Sequence, residues 1–368
     1  MKDCIVCNNN CFSSIFKNTS NNSVVTSDNK ILNADFELLQ CNKCFHIQKN
    51  VTNDYIKTIN NIYSNYDAYY LTNGIEEEKK DILEKDSNRS KIIIENLKDI
   101  IKENGKILDI GTGTGVFLKE FSKSYNWELY AQDVNNKEEK NLQKISKFKK
   151  LFILDEDKLY NKYFDIICAI HVFEHIIDLH SFLDTVKQSL KSTGILILQI
   201  PDICTNLYDL FIIDHVSHFS REVVYKVLKK HFDLVCFPKS QIYKEITIVA
   251  TNNKLDFDFD NSLISVTISK NKIDKLTNFK IKKNQKLAVF GTSPAGLFCA
   301  STIDFNIEYF LDENSLKIDK YLYDKKIIHP KDANEDVLIL FPYSKDVYDK
   351  IKIKYPNLQF LYIESSLA

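Results

Sequence analysis

Three groups of residues in this chain have types and spacings that could do chemistry. The first is the stretch Lys106 to Leu118, KILDIGTGTGVFL. An apolar run, Ile107-Leu108, leads into Asp109. The loop Gly111, Thr112, Gly113 and Gly115 follows, and an apolar helical pattern begins at Val116, Phe117 and Phe121. Strand, glycine loop, helix is the layout of a nucleotide-type cofactor site. Glycines adopt positive φ and let a ligand approach the backbone closely. The helix N-terminus presents free N–H groups to a polar or anionic group. The spacing is GxGxG, with an acid two residues ahead of the first glycine, and differs from the GxGxxG of dinucleotide folds. Asp133 ends the next apolar run, LYAQD, 18 positions after Gly115. It parallels the acidic residue that holds ribose hydroxyls about 20 positions beyond a Rossmann loop.

The second group is cysteine. Cys4-x-x-Cys7 and Cys41-x-x-Cys44 form two CxxC pairs. Together they supply four thiolates, the donor set of a tetrahedral structural zinc site. Cys11 and His46 lie nearby as spare donors. A closed four-ligand site does no chemistry by itself. A nucleic-acid-binding ribbon needs a basic surface, and the segment between the pairs carries Lys17 and Lys30 against Asp28, Asp35 and Glu37. That balance disfavours nucleic acid as a partner. Cys168, Cys204, Cys236 and Cys299 have apolar neighbours and read as core.

The third group is Asp214-His215-Val216-Ser217-His218-Phe219-Ser220, read as a loop before a helix near Arg221, with Ser220 as its N-cap. Two histidines beside a cofactor pocket can titrate near neutral pH. The adjacent Asp214 is placed to orient an imidazole, so His215, Asp214 and His218 are the candidate catalytic residues, with His215 as the base.

The elements that must position these groups follow from patterning. The chain has 368 residues with 44% hydrophobic content, enough for two or three domains. Its net charge of −1 exerts no global pull on nucleic acid or membrane. No apolar run approaches the length of a bilayer span, and the start, MKDCIVCNNN, has no secretory pattern. A cytoplasmic location is expected. Residues 1–50 read as a zinc-binding module. Residues 51–105 are an aromatic segment (Tyr55, Tyr63, Tyr66, Tyr69, Tyr70) and a charged amphipathic helix over 76–104, leading to the core. Residues 106–255 alternate strand and helix, with strands at Lys106–Ile110, Leu129–Asp133, Ile166–Ile170 and Gly194–Gln199 and a further pair at Leu234–Phe237 and Ile246–Thr251. This predicts a parallel α/β sheet covered on both faces. Residues 256–368 repeat the pattern on a smaller scale. They carry a helix near Asn271–Ile281 and strands at 286–291, Ile307–Leu311, Asp336–Phe341 and Gln359–Ile363. The predicted fold class is therefore α/β, two Rossmann-like units behind a small cysteine module.

The glycine loop resembles motif I of the class I S-adenosylmethionine (SAM) methyltransferases. His171-Val172-Phe173-Glu174-His175-Ile176 resembles that family's motif after the fourth strand, and Gln199-Ile200-Pro201-Asp202 its turn after the fifth. The resemblance implies SAM as cofactor. It sets Asp109, Gly111, Thr112, Gly113 and Gly115 around the glycine loop and Asp133 on the ribose. Leu154-Asp155-Glu156 falls near the adenine, His171 on the methionine side, and Tyr70 over the cofactor. Taken over nearly its full length, the chain resembles bacterial sugar C-methyltransferases, which methylate C3 of nucleotide-linked 4-keto-deoxysugars. That implies a nucleotide-sugar partner and a C-terminal domain that helps to hold it. In that family a YHEH-type motif followed by an aromatic and Ser supplies the base. Here the stretch is Ile212-Ile213-Asp214-His215. His215 falls on the family's catalytic His, Asp214 replaces its Glu, and Ile212 and Ile213 replace its Tyr and first His. Tyr243-Lys244-Glu245 stands where the family has GGS. The C-terminal glycine loop, Phe290-Gly291-Thr292-Ser293-Pro294-Ala295-Gly296, lacks the family's Lys. The expected reaction is methylation of an enolate carbon beside a 4-keto group. O-methylation of a sugar or other small molecule, or non-catalytic SAM or nucleotide binding, are the alternatives.

Overall fold

The computed structural model describes residues 3–19, 23–64, 66, 78–80, 86–264, 266–278, 281 and 284–363. Tyr69 and Tyr70 lie outside the described residues, as do Ile82 and Leu83.

Near the N-terminus, strands β1 (Phe12–Asn18), β2 (Phe36–Cys41) and β3 (Ile47–Lys49) pair antiparallel in that order. The fourth strand of this sheet comes from far along the chain. It is the dipeptide Ser217–His218, which pairs antiparallel with Gln48 and Ile47. The cysteine module is thereby built into the loop that carries His215. Helix α1 spans Asn53–Ser64 and buries Tyr55, Ile59 and Ile62.

Among the described residues of 76–104, the predicted helix is found as α2, Arg89–Leu97. Asn88 caps it by accepting the Lys91 N–H at 2.8 Å, which satisfies one of the orphan donors of the first turn. The residues just before it, Asp86–Asn88, pair as a strand with Glu78–Lys80. Amphipathic spacing alone could not mark this start, because a polar cap residue breaks no apolar period.

The central sheet has eight strands: β4 (Lys106–Ile110), β5 (Glu128–Asp133), β6 (Phe148–Ile153), β7 (Phe164–Ile170), β8 (Leu190–Pro201), β9 (Leu234–Pro238), β10 (Glu245–Thr251) and β11 (Phe259–Asp260). Their spatial order is β6-β5-β4-β7-β8-β10-β9-β11. The first five are parallel, and β10 runs antiparallel to both β8 and β9. Order reverses beside β4, so the crevice beyond its carboxyl end is the topological switch point where such sheets bind ligands. Helix α3 (Val116–Ser124) buries Phe117, Leu118 and Phe121. Phe121 meets Trp127 edge to face at 5.5 Å. Strand β6, the third strand ahead of Leu154 whose bounds the sequence does not give, is an edge strand whose buried residues Leu151 and Phe152 are few and adjacent.

Helices α4 (Leu179–Ser189) and α5 (Arg221–Leu228) and the segments after β8 complete this unit. Ser220 caps α5 by accepting from Val223 N–H at 3.4 Å, as expected. Helix α6 (Lys270–Thr277) precedes a six-stranded C-terminal sheet. Its strands are β12 (Leu287–Phe290), β13 (Tyr309–Leu311), β14 (Tyr321–Leu322), β15 (Lys325–Ile328), β16 (Leu338–Phe341) and β17 (Gln359–Tyr362), in the order β14-β15-β13-β12-β16-β17. All pairs but the β14–β15 hairpin are parallel.

Phe211 ties the three parts together. Its ring stacks on Phe298 of helix α7 (Pro294–Ser301) at 4.2 Å and meets Phe16 of β1 edge to face at 5.4 Å. It is 1% exposed. Large-to-small changes at such sites cost about 3–5 kcal/mol. Phe211→Ala is expected to lower the urea midpoint accordingly, with an unchanged m-value if the parts still unfold together.

Candidate active site

The candidate cofactor crevice is shaped by three glycines whose backbone takes positive φ, a conformation glycine adopts without steric cost. Gly111, Gly113 and Gly115 have φ of 68°, 50° and 76°. A Cβ on Gly111 would sit 2.3 Å from Val172 Cγ2, in the segment after β7. The Gly111 N–H donates to Gln132 O at 2.8 Å, and the Gly113 N–H to Asp133 Oδ2 at 2.9 Å. Asp133 also accepts from Val134 N–H at 2.7 Å through its other oxygen. Burial raises its pKa despite these donors. Asp109 is buried beneath the loop, where Cys168 Sγ lies 3.2 Å from its Oδ1. The hydroxyls of Thr112 and Thr114 are buried without hydrogen-bond partners among the described residues. Buried hydroxyls left without partners fit hydrogen bonds to a polar ligand. Asp155 follows β6 with φ of 65° and is exposed.

After β7, His171 takes a positive φ of 54°. Its Nδ1 bonds Glu174 Oε1 at 3.0 Å, and its Nε2 lies 3.3 Å from Glu245 Oε2. Burial and Arg89 push its pKa down, but Glu245 and Glu174 outweigh them and the net shift is up. Glu245 is itself clamped by Arg89, Nη2 to Oε1 at 2.8 Å and Nε to Oε2 at 2.9 Å, and accepts from Gln199 Nε2 at 2.9 Å. A buried carboxylate with a bidentate arginine is held ionised. Burial opposes ionisation of Glu245, yet Arg89 and His171 hold its pKa well below the usual carboxylate range.

The loop before α5 departs from the sequence expectation in one respect. Asp214 does not orient His215. Its carboxylate accepts from Ser27, at the backbone N–H (2.8 Å) and at the hydroxyl, and lies 3.6 Å from His175 Nδ1. The partner of His215 is Asp209: His215 Nδ1 meets Asp209 Oδ1 at 2.6 Å, and His218 Nδ1 meets Asp209 Oδ2 at 2.6 Å. A carboxylate only accepts, so both imidazoles donate Nδ1–H to it. The reason is local geometry. The His215 N–H reaches back to Ile212 O at 3.3 Å, a turn that returns the imidazole toward the helical turn Leu207–Phe211, while the side chain of the adjacent Asp214 is committed to the Ser27 loop. Burial favours neutral His215, but Asp209 outweighs it and raises the pKa to about 9. Burial and Lys49 together lower His218 to about 4.

His175 completes the cluster. Its Nδ1 donates to Asp214 O at 2.8 Å, with the Tyr63 hydroxyl also 2.8 Å away, and its ring meets that of His215 edge to face at 4.7 Å. Burial and the neighbouring His215 lower its pKa. Glu174, His175 and His215 each bring one potential ligand atom within 4.8 Å of the others. Two histidines side by side, one shifted down and the other up, could exchange a proton with a bound group.

Sequence reasoning did not single out Asp209, Lys49, Ser27, Arg89 or a role for Glu245. Asp209 alone left a trace: a charge inside the apolar run LYDLFII. In the cysteine module, Cys4 and Cys44 sulfurs lie 3.6 Å apart, as do those of Cys7 and Cys41, and all four lie within 4.8 Å. A tetrahedron of thiolates about 2.3 Å from zinc has this spacing. The spare candidates are elsewhere. Cys11 is exposed, and His46 is buried against Phe219 at 5.4 Å.

Residues 85–235 match the family model described as a methyltransferase domain. This part of the chain is a methyltransferase domain. Its class I sheet order and its glycine crevice belong to that fold. Among solved structures, the chain is similar to a coclaurine N-methyltransferase at 18% identity, covering 31% of this chain and 34% of that one, with a TM-score of 0.28. It is similar to the CurJ carbon methyltransferase at 20% identity, 45% and 53% coverage and a TM-score of 0.37. A methyltransferase from Thermotoga maritima, described as a possible histamine N-methyltransferase, shares 15% identity over 54% of this chain and 99% of that one, with a TM-score of 0.38. The chain thus spans about a third of the first and half of the second. No curated protein matches the sequence. Among the described residues, no helix is long and apolar enough to cross a membrane.

Two outcomes test this geometry. Gly111→Ala combines a positive φ with a 2.3 Å overlap. It should destabilise the fold by about 1–3 kcal/mol and weaken SAM binding in calorimetry. The Asp209–His215 ion pair stabilises the fold fully below pH 6.5. Its contribution is lost as pH rises through about 9, because the unfolded imidazole sheds its proton first. The unfolding free energy of wild type minus that of His215→Asn should therefore fall across that window. The subtraction removes the opposing titration of Lys49, which burial pushes down to about 7.

Proposed function

We propose that the chain is a SAM-dependent methyltransferase acting on a nucleotide-linked deoxysugar, methylating the carbon beside a 4-keto group. The observation that carries the reading is the buried pair His215–Asp209 beside His175, at the carboxyl end of the same sheet as the glycine loop. SAM supplies a sulfonium-activated methyl, so the protein must align the acceptor and remove one proton. The loop glycines and the hydroxyls of Thr112 and Thr114 would hold the cofactor, with Asp133 on its ribose, Asp155 near its adenine and His171 on its methionine side. Cys4, Cys7, Cys41 and Cys44 would hold a structural zinc. The 256–368 region would help to hold the nucleotide.

In this reading His215 removes the proton through Nε2, since Nδ1 is committed to Asp209. His218 and Asp214 serve indirectly, His218 by sharing Asp209 and Asp214 by holding the Ser27 loop and His175. A carbanion beside the carbonyl then accepts the methyl. The lowered pKa of His175 favours a second assignment of the same chemistry. There His175 takes the proton and cationic His215 stabilises the enolate oxygen.

Mass spectrometry of products after incubation with SAM and 4-keto nucleotide-sugars tests the substrate class. A mass gain of one methyl at carbon is expected, and methylation at a hydroxyl would transfer the reading to O-methylation. His215→Ala should cost roughly 10²–10⁴ in rate. With His215 as base, kcat/KM rises with pH up to about 9. With His175 as base, the rise is centred below pH 6.5 and activity falls as His215 deprotonates. A folded His215→Ala enzyme with wild-type turnover would end both assignments.

A further inference from the structure

A chain of four buried side chains runs from the cysteine module into the active site. Lys49 lies on β3 and is fully buried. The pairing of β3 with Ser217–His218, and the Lys49 N–H bond to Val216 O at 2.8 Å, fix it beneath the His215 loop. Its Nζ donates to Leu210 O at 2.6 Å and lies 3.1 Å from His218 Nε2. The third direction is filled by the Phe36 ring at 4.6 Å. His218 continues to Asp209, and Asp209 to His215.

The hydrogen-bond roles along this chain are forced. Asp209 accepts only, so His218 must place its proton on Nδ1. A neutral His218 then has a lone pair on Nε2, and that lone pair takes a Lys49 N–H. We infer that Lys49 is a positioning residue for methyl transfer: by donating to His218 Nε2 it keeps His218 neutral, and so leaves the charge of Asp209 to hold and orient His215. The inference rests on the reading of His215 given above. Without Lys49, His218 is free to take a second proton at Nε2. An imidazolium there would compete for Asp209 and loosen its hold on His215. The charged and titratable groups facing this chain are Asp209 and Asp214 toward Lys49, Lys49, Asp209, His215 and His46 toward His218, and Asp209, Glu174, Asp214 and His175 toward His215.

The test reads protonation directly. In long-range ¹H–¹⁵N spectra of the full-length protein at pH 7, wild-type His218 should be a neutral Nδ1–H imidazole that does not titrate between pH 5 and 8. In Lys49→Met, His218 should titrate within that range and the His215 pKa should fall. On the substrate accepted by the wild type, kcat should drop roughly ten- to a hundredfold, as for lost supports of a catalytic histidine, with the KM for SAM unchanged. A wild-type His218 found as imidazolium or as the Nε2–H tautomer overturns the inference. So does a folded Lys49→Met protein with the wild-type His218 titration and pH–rate profile. If Lys49→Met does not fold, the wild-type spectrum alone decides. The base assignment fails separately, through His215→Ala activity, and the His218 spectrum does not depend on it.

Discussion

The carboxylate of Asp209 is the interaction on which the candidate active site depends. It is buried, and a buried carboxylate must be neutralised or protonated. Two imidazoles donate to it, one at each oxygen, and hold its pKa well below the ordinary carboxylate range against the opposing effect of burial. Satisfying it dictates the rest. His215 must commit Nδ1 to this carboxylate, and His218 must stay buried on the strand that closes the cysteine module's sheet. The loop between them has no freedom to choose another face.

That constraint explains why the small N-terminal sheet and the methyltransferase sheet are not independent units. A strand of two residues, Ser217–His218, has little pairing energy of its own. It is held because β3 supplies Lys49 and because Phe211 fills the space between β1 and α7. The C-terminal sheet joins the same apolar cluster through Phe298 and Cys299, the latter 3.3 Å from the Tyr208 hydroxyl. The glycine loop of that sheet is covered in its turn: a Cβ on Gly291 would fall on the Tyr343 hydroxyl, 1.7 Å away.

On the cofactor side the network is of a different kind. Arg89 at the start of α2, Glu245 at the start of β10, and His171 and Glu174 after β7 link basic and acidic side chains in turn. Glu245 stands where the resemblance in sequence had only a missing GGS, and the ion pair with Arg89 gives that departure a physical content. Glu245 and Glu174 are the buried members of this network, and a buried carboxylate is costly to leave unpaired.

What the sequence determined by itself was local. Strand β4, the glycine turn and α3 lie within about twenty residues, and their glycines, apolar runs and cap are set by backbone sterics and short-range burial. The two CxxC pairs and the α/β alternation were legible for the same reason. Helix α2 and strand β6 were legible only in part, because a cap or an edge strand alters few apolar positions. The tertiary structure decided the partners. Asp214 is next to His215 in sequence and faces Ser27 in space, while Asp209 lies six positions away and makes the bond. Lys49 reaches Leu210 across 161 positions. Spacing in the chain ranks candidates by proximity, but a buried charge is matched by whichever donor the packed sheets bring to it.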